Sequence, residues 1–397
     1  MRLSSDDLPM FFDDAHRVLA ERLRAAAPAI GEAENNADEA ARDRGAVDAL
    51  ARASLFELVA PASGPEWRAP DSLRGSGPTD SRSLCLAREM LGYVSPRADS
   101  IFAVQGLGVH SILLAGTDEQ RAHVTAYARG AGIAAFALTE PEAGSDVASI
   151  QTRAAPCAEG YRLDGDKLFI SNLGIADHAT VVAATEPSLG AGGLTAFWLP
   201  LDTPGVTVKP LVATAPHPIG ALELRGVVLP ASSKIGEVGQ GMKLAMLTLD
   251  AFRVSVGAAA VGMARRAMDE AITFVTRRMQ FGKLLSEQPL IQAHIADMAV
   301  DLDAARLLVL RAAHRKDTTT DRVTTEVSIA KLGATEAAQR VIDRAVQLLG
   351  GRGVMAGSVV EHLYRAIRPL RIYEGTSEIQ RTIIGRALTK PGGARPS

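Results

Sequence analysis

The residues of this chain best suited to chemistry lie near its C-terminus, in Arg371-Ile372-Tyr373-Glu374-Gly375-Thr376-Ser377-Glu378-Ile379-Gln380-Arg381. Pro369 disfavours helix just upstream, Gly375 frees the backbone, and Thr376, Ser377 and Glu378 suit the first turn of a helix. A glutamate so placed, Glu374, can act as a base, or it can be an ordinary side chain beside a helix cap. Three other groups stand out. Phe136-Ala137-Leu138-Thr139-Glu140-Pro141-Glu142-Ala143-Gly144-Ser145-Asp146 leads a strand into a turn built by Pro and Gly, where Thr139 and Ser145 by themselves read as turn formers. Asp250 and Arg253 in Leu249-Asp250-Ala251-Phe252-Arg253 read as a surface charge couple, and Gly350-Gly351 after Leu349 as a helix stop.

Three kinds of segment must position these groups. From about Pro9 to Arg129, Phe12, His16, Leu19, Leu23, Leu50, Leu55 and Leu58 recur at helical spacing. Between Ala62 and Arg82 a stretch rich in Pro, Gly, Ser and Arg predicts a long surface loop that serves as a connector, and Arg68, Arg74, Arg82, Arg88 and Arg97 are expected on a solvated surface. Near Ala131 the pattern changes to short apolar runs broken by Gly, Pro and Asp, the rhythm of an antiparallel β unit. Within it, Leu163-Asp164-Gly165-Asp166-Lys167 predicts a hairpin turning at Asp-Gly. After Gly239-Gln240-Gly241 long helices return: Met242 to about Met279, rich in small residues that allow close packing, then Pro289 to about Arg315 and Thr325 to Leu349, with a polar tail from Pro391. The fold class is α+β, mostly α, with domains expected at residues 1–130 (helical), 131–237 (antiparallel β) and 238–397 (helical).

Composition narrows the functions available. Lys and Arg total 43 against 45 Asp and Glu, so no basic field draws nucleic acid. Cys85 and Cys157 are far apart and lack metal-ligand spacing, which argues against a zinc site or a disulfide framework and fits a reducing compartment. No leader-like start and no membrane-length apolar run is read from the sequence, so the expectation is a cytoplasmic protein with no membrane contact.

The wording Tyr-Glu-Gly-Thr-Ser-Glu-Ile-Gln-Arg resembles the C-terminal signature of the acyl-CoA dehydrogenase family, and four further motifs resemble that family in order and spacing. The resemblance implies a C-terminal four-helix bundle, an FAD cofactor and Glu374 as the catalytic base. It implies flavin contacts from the strand at Phe136, from Leu138, Thr139 and Ser145 in the turn that contains Gly144, and from Phe169 and Ser171 in Gly165-Asp166-Lys167-Leu168-Phe169-Ile170-Ser171-Asn172. Phe169 stands where the family most often has tryptophan, which keeps a stacking surface and drops the indole N–H. Arg278-Met279-Gln280-Phe281-Gly282 and Gln347-Leu348-Leu349-Gly350-Gly351-Arg352-Gly353 resemble motifs that hold the adenosine and pyrophosphate of a neighbouring subunit's FAD. In that role the Arg278, Gln280, Phe281, Gln347, Gly350 and Gly351 positions imply a homo-oligomer, a tetramer in the family's manner. Thr376 and Glu378 join the implied cofactor contacts.

For substrate the resemblance implies an acyl-CoA thioester touched by Ser145, Asp250, Phe252, Arg253, Tyr373, Glu374 and Gly375. Some family branches carry their base at the position of Phe252, so phenylalanine there leaves Glu374 as the candidate. The implied reaction removes the α-proton at Glu374 and passes a β-hydride to flavin N5, giving a trans-2-enoyl product, with an electron-transferring flavoprotein as acceptor. An ordinary glutamate near pH 4.3 is a weak base for such a proton, so burial must raise it while the helix start at Gly375 pulls the other way. Rival readings keep the fold: a dehydrogenase of carrier-protein thioesters, a flavin oxidase or monooxygenase, or a non-catalytic binding protein.

Overall fold

A computed structural model describes residues 2–61 and 79–390. Helices α1 (Ser4–Asp7), α2 (Asp14–Glu32), α3 (Glu39–Arg52), α4 (Ser81–Val94), α5 (Pro96–Ala115) and α6 (Asp118–Ala128) come first. Strands β1 (Ala134–Ala137), β2 (Arg153–Cys157), β3 (Gly160–Ser171), β4 (His178–Ala184), β5 (Leu194–Pro200), β6 (Val206–Pro210), β7 (Ile219–Pro230) and β8 (Lys234–Ile235) follow. Then come α7 (Gly241–Val275), a hairpin of β9 (Met279–Gln280) and β10 (Lys283–Leu284), α8 (Pro289–Thr318), α9 (Thr324–Leu349), α10 (Val359–Ala366) and α11 (Ser377–Thr389). The fold is α+β and mostly α, as the sequence predicts. Positions 62–78 of the expected loop, with Arg68 and Arg74, and the tail from Pro391 lie outside the described residues; α4 already begins at Ser81.

The chain forms two compact units, one of Met1–Gly31, Ser81–Asp99 and Arg253–Ser397, the other of Glu32–Asp80 and Ser100–Phe252. In the second, the strand order is β6-β7-β3-β2-β4-β5-β8, with β1 beside β4. The pairing is mixed where an antiparallel unit was expected: β1 runs parallel to β4, and Arg153 of β2 pairs in parallel with Ala184. Parallel strands need buried faces, and β4 and β5 have them. Val182, Ala184, Ala196 and Trp198 join a core with Val109 and Ile112 of α5 and Val124 and Tyr127 of α6. Their alternates Val181, Ala183, Phe197 and Leu199 join a core with Leu163, Leu222 and Leu224. Period-two alternation thus feeds two cores at once.

The hairpin expected at Asp164-Gly165 is absent, because β3 runs through it. Gly165 has φ +155° and marks a register shift against β7, and the turn that joins β2 to β3 falls at Ala158-Glu159 before Gly160. Asp164 accepts from the Gly226 N–H at 2.7 Å, which ties it to the neighbouring strand. A second shift, between Lys167 and Ile170, is a bulge at Phe169. Lys167, fully buried, donates to Glu140 Oε1 at 2.7 Å and to the Leu138 carbonyl at 3.1 Å. Glu140 also accepts from the N–H groups of Gln151 (2.6 Å) and Thr152 (3.0 Å). Burial pushes the Glu140 carboxyl up, but Lys167 and these donors outweigh it and hold it below the usual range; burial pushes Lys167 down to about 8 against the pull of Glu140.

In the first unit, Cys85 of α4, Val254, Ala258 and Val261 of α7, Ala305 and Val309 of α8 and Val327, Ala330 and Ala334 of α9 share one core. Helices α4 and α7 meet backbone to backbone. A Cβ on Gly92 would lie 2.3 Å from the Ala259 carbonyl oxygen, and one on Gly262 would lie 2.1 Å from that of Glu89. Helix α7 ends at Val275, short of the expected Met279, because Phe281 (φ +54°) and Gly282 (φ +76°) form the left-handed turn of the β9–β10 hairpin. Helices α5 and α7 are long and apolar enough to cross a membrane by length and composition, against the expectation of no such run; 72% of each stretch is buried inside the protein.

Gly262→Ala is expected to lose about 1–3 kcal/mol of stability in urea unfolding, since a backbone contact must open to admit one methyl. Gly385→Ala, exposed on α11 with nothing within 4 Å of its Cβ position, should instead be neutral or gain up to about 1 kcal/mol. Lys167→Met leaves a buried carboxylate unpaired and is expected to cost about 3–5 kcal/mol. The pH dependence carries a sign: with its folded pKa depressed, Glu140 adds stability above its unfolded pKa that is lost as pH falls through the folded value. In Lys167→Met that acid loss should begin at higher pH, readable from unfolding midpoints across a pH series.

Candidate functional site

Glu374 sits in the short segment between the single-turn helix Arg368–Arg371 and α11, whose N-cap is Thr376 with its hydroxyl accepting from the Ile379 N–H at 3.3 Å. Its backbone is left-handed, φ +52°, a conformation that residues with a side chain seldom adopt, and Gly375 follows at φ +91°. Three side chains from three helices hold this turn. Arg253 Nε of α7 donates to the Glu374 carbonyl at 3.2 Å, Lys331 Nζ of α9 to the Gly375 carbonyl at 2.8 Å, and Gln380 Nε2 of α11 to both, at 3.3 and 3.0 Å.

The carboxylate is treated differently from the backbone that carries it. Glu374 Oε2 is buried with no hydrogen-bond partner. Burial pushes its pKa above the ordinary glutamate value, and the charges of Arg88, Arg253 and Lys331 oppose that rise without cancelling it. Arg88, almost fully buried, makes a bidentate pair with Asp99 at 2.8 Å on both arms and donates to Ser255 Oγ at 3.1 Å. Tyr373 is 37% exposed over its whole surface, yet its phenol meets Arg88, and burial of that oxygen raises the phenol's pKa. Such a carboxylate, with one oxygen buried and without a donor and its pKa raised, is equipped to take a proton.

The structure therefore gathers Arg253, Tyr373, Glu374, Gly375 and Thr376 in one unit. Asp250 is half-buried and Phe252 fully buried in the span of the other, where the Phe252 ring makes an edge contact with His110, centroids 5.6 Å apart. Lys331, Asp99 and Ser255 escaped the sequence reading, which gave Gln380 no role and expected Arg88 in solvent. One signal could have found Lys331: a lone charge on the apolar stripe of Val327, Ala330 and Ala334. The expectation of solvated arginines fails for Arg88, and for Arg97, which is also buried; Arg82 pairs with Asp317 at 3.0 Å. Carboxylates on packed helices let the guanidinium groups of Arg88 and Arg82 leave water.

On the β unit, the end of β1 and the bulge of β3 are fastened together. The Leu168 N–H donates to the Thr139 carbonyl at 2.9 Å, beside the Lys167 bonds to Leu138 and Glu140. The bulge throws Phe169 outward: it is 63% exposed with φ +58°. Nearby Ser171 is half-buried, with its hydroxyl 3.3 Å from His217 Nε2, while Leu138 is buried, Phe136 and Thr139 half-buried, and Gly144 and Ser145 exposed. An outward aromatic face beside hydroxyl and backbone donors fits the flat ring and polar edge of a flavin. Arg278, Gln280 and Phe281, at and beside the β9–β10 hairpin of the other unit, are exposed, Phe281 to 96%. So are Gln347, Gly350 and Gly351 at the end of α9, the two glycines facing open space, and Glu378 in the first turn of α11.

Family models agree with this geometry. The acyl-CoA dehydrogenase middle domain matches residues 135–227 and the acyl-CoA dehydrogenase C-terminal domain residues 239–389. The human mitochondrial short-chain specific acyl-CoA dehydrogenase is 37% identical over 326 residues, covering 81% of this chain and 79% of that protein. The structure of butyryl-CoA dehydrogenase from Megasphaera elsdenii superposes with a TM-score of 0.83 at 32% identity, over 96% of this chain and 99% of that one. The structure of PigA with FAD and proline does so at 0.82 and 27%, over 95% and 98%. The motifs, the fold and these matches converge on one conclusion: this chain belongs to the acyl-CoA dehydrogenase family of FAD-dependent oxidoreductases.

Proposed function

We propose that this enzyme converts an acyl-CoA thioester to its trans-2-enoyl-CoA, with Glu374 as the base that removes the α-proton. The observation that carries this reading is the buried, unpartnered Oε2 of Glu374 on a backbone held in a strained conformation. A proton acceptor does best with a pKa raised toward the working pH and an oxygen free of competing donors; burial raises the Glu374 pKa above the ordinary carboxylate value, and Oε2 has no donor. The charges of Arg88, Arg253 and Lys331 oppose that rise. Bound FAD would accept the hydride equivalent. Leu138, Thr139, Ser145, Phe169 and Ser171, with Phe136 and Gly144 in the same strand and turn, would hold its flavin end; Arg278, Gln280, Phe281, Gln347, Gly350 and Gly351 would hold the adenosine end of a neighbouring subunit's cofactor, with Thr376 and Glu378 close to the chain's own. Ser145, Asp250, Phe252, Arg253, Tyr373 and Gly375 would line the substrate's path. The outward Phe281 and Arg278 support a homotetramer, and an electron-transferring flavoprotein is the proposed electron acceptor.

Glu374→Gln keeps the shape of the side chain and removes its basicity. Flavin content and melting temperature should stay near wild type while the rate of flavin bleaching by acyl-CoA falls by about 10²- to 10⁴-fold; a wild-type bleaching rate would remove Glu374 from the role. In the parent enzyme that rate should fall as pH drops through a midpoint above the ordinary glutamate value, because the base works only when ionised and its pKa is raised. Arg278→Ala should weaken FAD retention and assembly together, measured by flavin absorbance and sedimentation of the same sample. Full flavin content in an intact oligomer would exclude the cross-subunit contact.

A further inference from the structure

We propose that Lys331 is a positioning residue for Glu374: its buried ammonium grips the Gly375 carbonyl, fixes the left-handed turn that carries Glu374, and adds one of the positive charges that act through space on the Glu374 carboxylate. The inference rests on the reading of Glu374 as the base. Lys331 lies in the middle of α9 and is fully buried, on a stripe otherwise made of Val327, Ala330 and Ala334. A lysine is an expensive residue to enclose, and burial pushes its pKa down to about 8. Below that pH it stays cationic.

Hydrogen-bond satisfaction alone does not explain it. The Gly375 carbonyl already accepts from Gln380 Nε2 at 3.0 Å, a neutral donor on the adjoining helix. What Lys331 adds at 2.8 Å is a third anchoring helix and a charge. The turn needs anchors because Glu374, unlike glycine, has a Cβ that disfavours φ +52°. Arg253 holds the Glu374 carbonyl from α7, Lys331 the Gly375 carbonyl from α9, and Gln380 spans both from α11. The charged groups that act on Glu374 are Arg88 of α4, Arg253 of α7, Lys331 of α9 and Asp99 of α5; those that act on Lys331 are Glu374, Arg253, Glu336 and Glu378. Loss of Lys331 therefore removes one of three cations opposing the upward push of burial on Glu374, and loosens the turn as well.

The experiment uses the FAD-loaded enzyme with Lys331→Met, which keeps length and removes charge and donor, and Lys331→Gln, which keeps a donor. Titration of the Glu374 carboxyl is followed by infrared difference spectroscopy, its band assigned by its disappearance in Glu374→Gln. In Lys331→Met the carboxyl should titrate at higher pH than in the parent, the acid limb of the bleaching rate should move with it, and the plateau rate should fall by about 10- to 100-fold as the base is misplaced. Lys331→Gln should show the same direction of titration shift with a smaller loss of plateau rate. An unmoved Glu374 titration in a variant with normal flavin content and melting temperature overturns the proposal, and Lys331→Gln decides it if the Met variant does not fold. A carboxyl that shifts while the rate profile stays in place would leave Lys331 as the positioning residue and remove Glu374 as the base.

Discussion

A carboxylate that is to accept a weakly acidic proton must leave water without meeting a donor, and much of the helical unit is arranged around that constraint. Glu374 Oε2 has no partner, yet the carbonyls of Glu374 and Gly375 receive four hydrogen bonds from Arg253, Lys331 and Gln380. Donors go to the carbonyls, where they fix position, and charge reaches the carboxylate through space, where it moderates the pKa without blocking the oxygen. Arg88 extends the same arrangement: its hydrogen bonds go to Asp99 in a bidentate pair, while its charge, the largest of those opposing burial at Glu374, acts through space and Asp99 offsets part of it.

The β unit solves a related problem with covalent geometry. In a regular strand Phe169 would share the face of the buried Lys167 two residues earlier, but the irregularity between Lys167 and Ile170 breaks the alternation and leaves Phe169 exposed. Lys167 and Glu140 then pin the end of β1 to β3 at the place where the bulge has removed ladder bonds. Among the described residues, five other than glycine have positive φ, and Glu374, Phe169 and Phe281 are three of them. Strain of this kind persists only where surroundings over-determine it, so its coincidence with three residues singled out for chemistry ties the local sequence to the packed structure.

Close approach of helices depends on small residues rather than on large apolar ones. Gly92 and Gly262 let α4 and α7 touch through their backbones, and α7 carries further small residues there, Gly257, Ala258, Ala259, Ala260 and Ala264. The same composition makes α5 and α7 read as membrane-length segments by apolar content, although their apolar surface is consumed inside the protein.

The sequence by itself determined the order of helices, strands and helices, the helix start at Thr376-Ser377-Glu378, and the family, because first-turn residues, periodicity and short motifs are written in neighbouring residues. It also picked out Glu374 and Phe169 by type. Whether Asp164-Gly165 turned or continued depended on a strand 60 residues away, since Asp164 bonds to the Gly226 N–H and β7 pairs on both sides of the glycine. The fates of Arg88 and Lys331 were equally hidden: a charged side chain is solvated by default, and only packing supplies the Asp99 carboxylate or the Gly375 carbonyl that lets it leave water. Local chemistry names a candidate base, but its dielectric surroundings and backbone strain are sums over contacts between helices distant in sequence, and those exist only once the chain has folded.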